Sequence, residues 1–167
     1  MDEIGWLSDE LGRSGSGFDW ALRHVPADRL GLTPPSGLGE WSAVRHLFHL
    51  VWYEREIALP TMRLWLGGPP FTEEGLDEEG DWTADRAGVE LEAWLRTFTA
   101  GRDEQRGLLA RLDPAAWTTE RTTGWSDLPG SVPLRWVVAK TYQHTAEHTS
   151  DVLRIALFWD LFVAGAS

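Results

Sequence analysis

The stretch TYQHTAEHTSD, residues 141–151, carries His144 and His148 four positions apart. At about 100° per residue, two imidazoles at this spacing lie on one side of a helix, about 6 Å apart along its axis. Such a pair can share a metal ion. It can equally be two polar side chains, each satisfied by a carbonyl or a hydroxyl. With His148 as origin, Leu134, Val137, Thr141, Val152, Ile155, Trp159 and Phe162 project within about 40° of it, as does His144. This places both histidines at the centre of an inward apolar stripe. An unsatisfied polar group there costs about 1–3 kcal/mol, so each ring needs a partner. The pair alone leaves both readings open.

A third nitrogen ligand would decide between them. The other histidines are His24, His46 and His49. In WSAVRHLFHL, residues 41–50, Phe48 is taken as the centre of the apolar stripe. His49 then lies about 100° away, at an edge from which it can lean into a helix interface. His46 lies about 160° away, on the outer face. His49 is therefore the expected third ligand and His46 a spectator. His24, at the end of a first helix, is expected to cap it or face solvent. Three neutral imidazoles leave a coordination sphere open, the mark of a catalytic rather than a structural site. Nitrogen ligands without thiolate suit zinc, nickel or iron(II).

Other polar residues project inward. Arg55 on the second helix, and Arg102 and Gln105 on the third, can bind a substrate carboxylate or phosphate. Alternatively their head groups reach solvent or pair with acids. Asp151, about 60° off the stripe centre, can orient a ligand histidine or form a surface ion pair with Arg154. Glu56 lies near the His49 side, and Trp52 is expected to pack. Glu147 points about 100° away from His148 and drops out.

Four helices must position these groups. The first runs from Asp2 to His24, despite the SGSG at 14–17, where each glycine costs about 1 kcal/mol. The second starts at Ser42 as N-cap and runs to about Trp65, ended by GGPP. The acidic EEGLDEEGD, residues 73–81, reads as a solvated linker. The third helix is capped by Thr83 and ends before Asp113–Pro114. TTERTT, 118–123, can form a short extended segment. The fourth helix starts near Ser131, with Pro133 in its first turn, and runs to about Val163. The fold class expected is all-α, a four-helix bundle forming a single domain over residues 1–167.

Composition narrows the function. The 167-residue chain has a net charge of −11, which disfavours nucleic acid and anionic membrane surfaces as partners. It has no cysteine, hence no disulfide, thiolate ligand or cysteine nucleophile. MDEIGWLSDE is not a signal peptide, and the most apolar run, 155–166, is too short to span a bilayer. A cytoplasmic protein is expected.

Trp41 followed eight residues later by His49 resembles the helix-two signature of the DinB/YfiT-like superfamily. HTAEH resembles its helix-four signature H-x-x-x-H, mapping onto His144 and His148. The resemblance implies an up-down-down-up bundle, a three-histidine divalent-metal site and frequent homodimers. It also implies kinship with metal-dependent S-transferases that use bacillithiol or a related small thiol, with metal-dependent hydrolases, and with mycothiol-dependent maleylpyruvate isomerases. In the isomerase branch one helix-four ligand is glutamate; His144 places this chain nearer the three-histidine branch. The expected function is metal-dependent transfer of a low-molecular-weight thiol onto an electrophilic small molecule, in detoxification or stress response. A metal-dependent hydrolase and a non-catalytic metal-binding stress-response protein are the alternatives. A free thiol, with pKa near 8.5, is mostly protonated at neutral pH and is activated by coordination.

Overall fold

The computed structural model describes residues 2–85, 90–126 and 130–165. In chain order these form α1 (Glu3–Arg23), α2 (Ala43–Tyr53), a π-helical turn (Glu54–Ala58), α3 (Leu59–Arg63) and a 3-10 turn (Leu64–Leu66). There follow α4 (Glu78–Asp85), α5 (Leu91–Leu109), a 3-10 turn (Pro114–Trp117), β1 (Glu120–Thr122), β2 (Ser131–Pro133) and α6 (Leu134–Gly165).

Asp2 caps α1, its carboxylate accepting from the Gly5 amide. The glycines of SGSG do not break the helix, because Leu11 and Phe18 on either side are fully buried. That packing outweighs the propensity cost. Gly15 also keeps α1 close to α5: a Cβ there would meet Arg102 Cγ at 3.4 Å.

Ser42 caps α2 by accepting from the Arg45 amide. From Ala43 to Leu66 the chain forms one rod, interrupted only by the widened turn, where the Leu59 amide donates to Glu54 O, five residues back. Pro60 accounts for it. Proline has no N–H to donate, and its ring would press on the carbonyl four residues earlier. The π turn relieves that contact. The rod ends at Gly67, left-handed at φ 80°.

Three expectations are corrected. Half of the supposed acidic linker starts a helix, since α4 begins at Glu78. Thr83 lies inside α4 and caps nothing; α5 starts at Leu91, beyond residues outside the described set. The fourth helix starts at Leu134, and Ser131–Pro133 forms β2, antiparallel to β1 with Arg121 opposite Val132. Pro133 forces its predecessor Val132 to be extended, which suits a strand better than a helical turn.

Two core clusters fix the direction of each long helix. One joins Leu7 and Leu11 of α1 to Met62 and Trp65, to Leu108 and Leu109, and to Leu134 and Val137. The other joins Phe18 and Leu22 to Leu47 and Val51, to Leu95 and Phe98, and to Val152 and Ile155. Thus α1 and α6 run one way, and the α2–α3 rod and α5 run the other. The topology is up-down-down-up, an all-α four-helix bundle. Among the described residues no helix is long and apolar enough to cross a membrane.

Candidate metal centre

His46, His49 and Tyr53, at helical spacing, share the face of α2 that meets α6. Leu47, Val51, Glu54 and Ala58 lie on another face, which supplies the core. His49 reaches across to α6, where its Nε2 lies 2.9 Å from Nε2 of His144. Nε2 of His148 lies 3.1 Å from the same atom. Three Nε2 atoms from two helices therefore converge. Two nitrogens each about 2.1 Å from one ion at a right angle stand about 3 Å apart, so the spacing fits a shared ion. The three histidines can hold a metal ion. All three are half-buried, at the rim of the apolar core rather than at the centre of the α6 stripe, which Thr141, Thr145 and Val152 occupy.

Neighbours orient two of the three rings, His49 and His148. His49 Nδ1 donates to Glu78 Oε1 at 2.9 Å, leaving the Nε2 lone pair facing inward. Glu78 is itself held by Arg45, whose Nη2 lies 2.9 Å from the same oxygen and 3.0 Å from Glu79 Oε2. The Arg45 guanidinium is stacked among Trp41, Phe48 and Trp82. His148 Nδ1 lies 2.8 Å from His46 Nδ1; with His148 donating, its Nε2 is free as well. This is the arrangement in which a ligand ring's second nitrogen is oriented by a hydrogen-bond acceptor. Tyr53 packs on His144 with ring centroids 4.2 Å apart, and His144 Nδ1 is buried without a hydrogen-bond partner among the described residues. Trp41 lies parallel to His148 and tilted against His46 and His49, closing one side.

Burial holds three of these imidazoles well below the usual histidine range: His46 to about 4, His144 to about 3 and His148 to about 2. Nearby histidines push in the same direction. All three rings are neutral at pH 7, the form that coordinates metal.

His46 is a correction. Expected on the outer face, it is 6% exposed and touches His148. The projection took Phe48 as the inward direction, but Phe48 faces Trp82 of α4 and Trp94 of α5. The helix is covered nearly all round and has no outer face at this level. Glu78 and Arg45 were missed altogether. The clue was Trp82, a large apolar residue directly after the supposed solvated linker.

The remaining candidates are scattered. Arg55 is exposed and pairs with Glu56; α4 covers Phe48 and Trp52 but does not extend to Arg55, one turn on. Trp52 packs as expected and donates to Asp81. Arg102 is buried and pairs with an acid, its Nε 2.6 Å from Glu54 Oε1 and its Nη2 bonded to the Thr145 hydroxyl. Gly101 makes room for that carboxylate, since a Cβ there would meet Glu54 Oε2 at 2.7 Å. Gln105 is fully buried, and neither amide atom has a hydrogen-bond partner among the described residues. Asp151 stands 3.8 Å from Arg154 and within 4.8 Å of ligand atoms on His46 and His148. His24 is exposed and donates to the Trp20 carbonyl at 2.7 Å.

No curated protein matches the chain significantly. The family model of the DinB superfamily matches residues 10–152, a span that includes most of the bundle and all three converging histidines. With that match and this topology, the chain belongs to the DinB superfamily.

Proposed function

We propose that this protein is a divalent-metal-dependent enzyme that transfers a small thiol onto an electrophilic small molecule. The observation carrying this reading is the convergence of three Nε2 atoms, with Glu78 orienting His49 and His46 orienting His148. His49, His144 and His148 would hold zinc, nickel or iron(II), the ions that suit neutral nitrogen ligands. When bound, the ion lowers the pKa of a thiol and supplies it as thiolate at neutral pH. The chain has no cysteine, so the sulfur comes with a cosubstrate.

The protein's own part is orientation and exclusion of water. Glu78, braced by Arg45, keeps His49 in one tautomer. His46 does the same for His148. Trp41 and Tyr53 wall the site with flat apolar surface. Arg102 takes no part in substrate binding in this reading, because Glu54 and Thr145 already occupy its guanidinium.

The test has two stages. Metal content of the purified protein is compared with that of His148→Ala; an equal molar content in the variant would sink the ligand assignment. The metal-loaded protein is then incubated with bacillithiol, mycothiol or glutathione and a bimane electrophile. Conjugate formation that stops on chelation is expected. Ester or amide cleavage without any thiol would replace transfer by hydrolysis. A loaded protein inert with every thiol would overturn the proposal.

A further inference from the structure

His148 faces two ways. Its Nε2 looks towards His144 and its Nδ1 lies 2.8 Å from Nδ1 of His46. Asp151, on the same helix, brings a carboxylate oxygen within 4.8 Å of one ring nitrogen of His46 and one of His148. These three side chains border a cleft of about 340 Å³, whose walls also include Glu40, Trp41 and Arg154. The cleft is a separate space from the three-histidine convergence: His49 and His144 do not line it.

We propose that this cleft is a second cation site, in which His46, His148 and Asp151 hold a divalent transition-metal ion beside the three-histidine centre. Two imidazoles and one carboxylate form a borderline donor set, suited to zinc, copper(II) or iron(II) rather than calcium or magnesium. Glu40 adds negative charge to the same wall. Arg154 is the competing cation. Its contact with Asp151 is long, at 3.8 Å, and both side chains are nearly half exposed, so the pair is weak and easily displaced. Its other amino group stays anchored to the Gly37 carbonyl at 3.0 Å.

The proton balance is definite. One proton lies between the two Nδ1 atoms. The second ion takes its place, and that proton goes to solvent. His46 keeps its proton on Nε2. With both sites filled, His148 would have given up its single ring N–H proton and would serve both ions as imidazolate, a state that two adjacent dications make accessible. The sharing of His148 rests on the ligand assignment above; the cleft and its other two donors do not.

The test is copper(II) titration of metal-free protein, followed by equilibrium dialysis and by electron paramagnetic resonance. Wild type is expected to bind two equivalents, with loss of the isolated-copper signal as the second enters and couples through the shared ring. One proton per second ion is expected, read by calorimetry in buffers of different ionisation enthalpy. His46→Gln and Asp151→Asn should each bind one equivalent and keep a full uncoupled signal. Asp151 is exposed enough that its variant reports on binding rather than folding. Wild type saturating at one equivalent, or either variant binding two, overturns the second site. If that single equivalent also disappears in His49→Ala, the three-histidine centre stands alone. No binding in wild type removes both.

Discussion

His49 Nδ1 and Glu78 Oε1 stand 2.9 Å apart, joining a ring on α2 to the first residue of a helix that has no buried residue of its own. The contact ties α4 to the candidate centre. It also gives a carboxylate from the acidic segment a defined task. Glu78→Gln keeps the shape but removes the charge that holds His49 in one tautomer. Metal affinity is expected to fall about 10–100-fold, the range for losing such a partner. Glu79→Gln, at an exposed carboxylate that pairs with Arg45 and not with His49, should change it far less. Competition with a chromogenic chelator reads both, and equal affinities for Glu78→Gln and wild type would refute the role.

Acid should destabilise the metal-free protein. Folded His46, His144 and His148 are held at about 4, about 3 and about 2, while the unfolded chain binds protons near the ordinary 6.5. Their contribution is complete above pH 6.5 and is lost as pH falls towards those folded values. Each adds a slope approaching about 1.4 kcal/mol per pH unit. Glu54 acts in the opposite sense: burial pushes its carboxyl up to about 7 against the pull of Arg102. Its contribution is complete below about 4.5 and is lost as pH rises through 7. Urea unfolding between pH 5 and 6 should show stability rising with pH, and more steeply in Glu54→Gln. A flat profile would contradict the buried neutral rings.

The Glu54–Arg102 pair is almost wholly enclosed, at 2% and 3% side-chain exposure. Arg102→Met leaves a carboxylate without its partner in the core and should cost about 3–5 kcal/mol. Glu54→Leu combined with Arg102→Met should recover most of that loss. Chemical denaturation measures both. Additive losses in the double variant would show that the two residues do not act as a pair.

Metal should stabilise the fold through its ligands. At an ion concentration 100 times the dissociation constant, the gain is about 2.7 kcal/mol. Thermal unfolding with and without zinc or nickel should show a larger gain in wild type than in His144→Ala, which keeps only the His46, His148 and Asp151 donor set intact. A variant that responds as wild type does would exclude His144 from the binding set.

The bundle was legible because its long helices announce themselves: Asp2 and Ser42 cap them, and apolar residues recur at helical period. The convergence of His49 with His144 and His148 was legible from spacing on two helices. What surrounds those rings was not. The surroundings of His46 and Glu78 depend on α4 folding back over α2, a tertiary event that no single-helix projection contains. Glu54 escaped notice for a similar reason. The stripe drawn through Phe48 and Arg55 missed the face that meets α5, and only Gly101 on the far side shows that a carboxylate fits there.

The widened turn at Glu54–Ala58 gives the rod slack in its length. A turn closed five residues back stores one residue more than an ordinary turn. Removing one residue elsewhere in the rod would twist one end by about 100° against the other. Removing one within the turn, together with Pro60→Ala, would only close it to the normal ladder. His49 above and Met62 below would keep their bearings. Length changes at this place are absorbed where they occur, and the histidine end of the bundle is insulated from them.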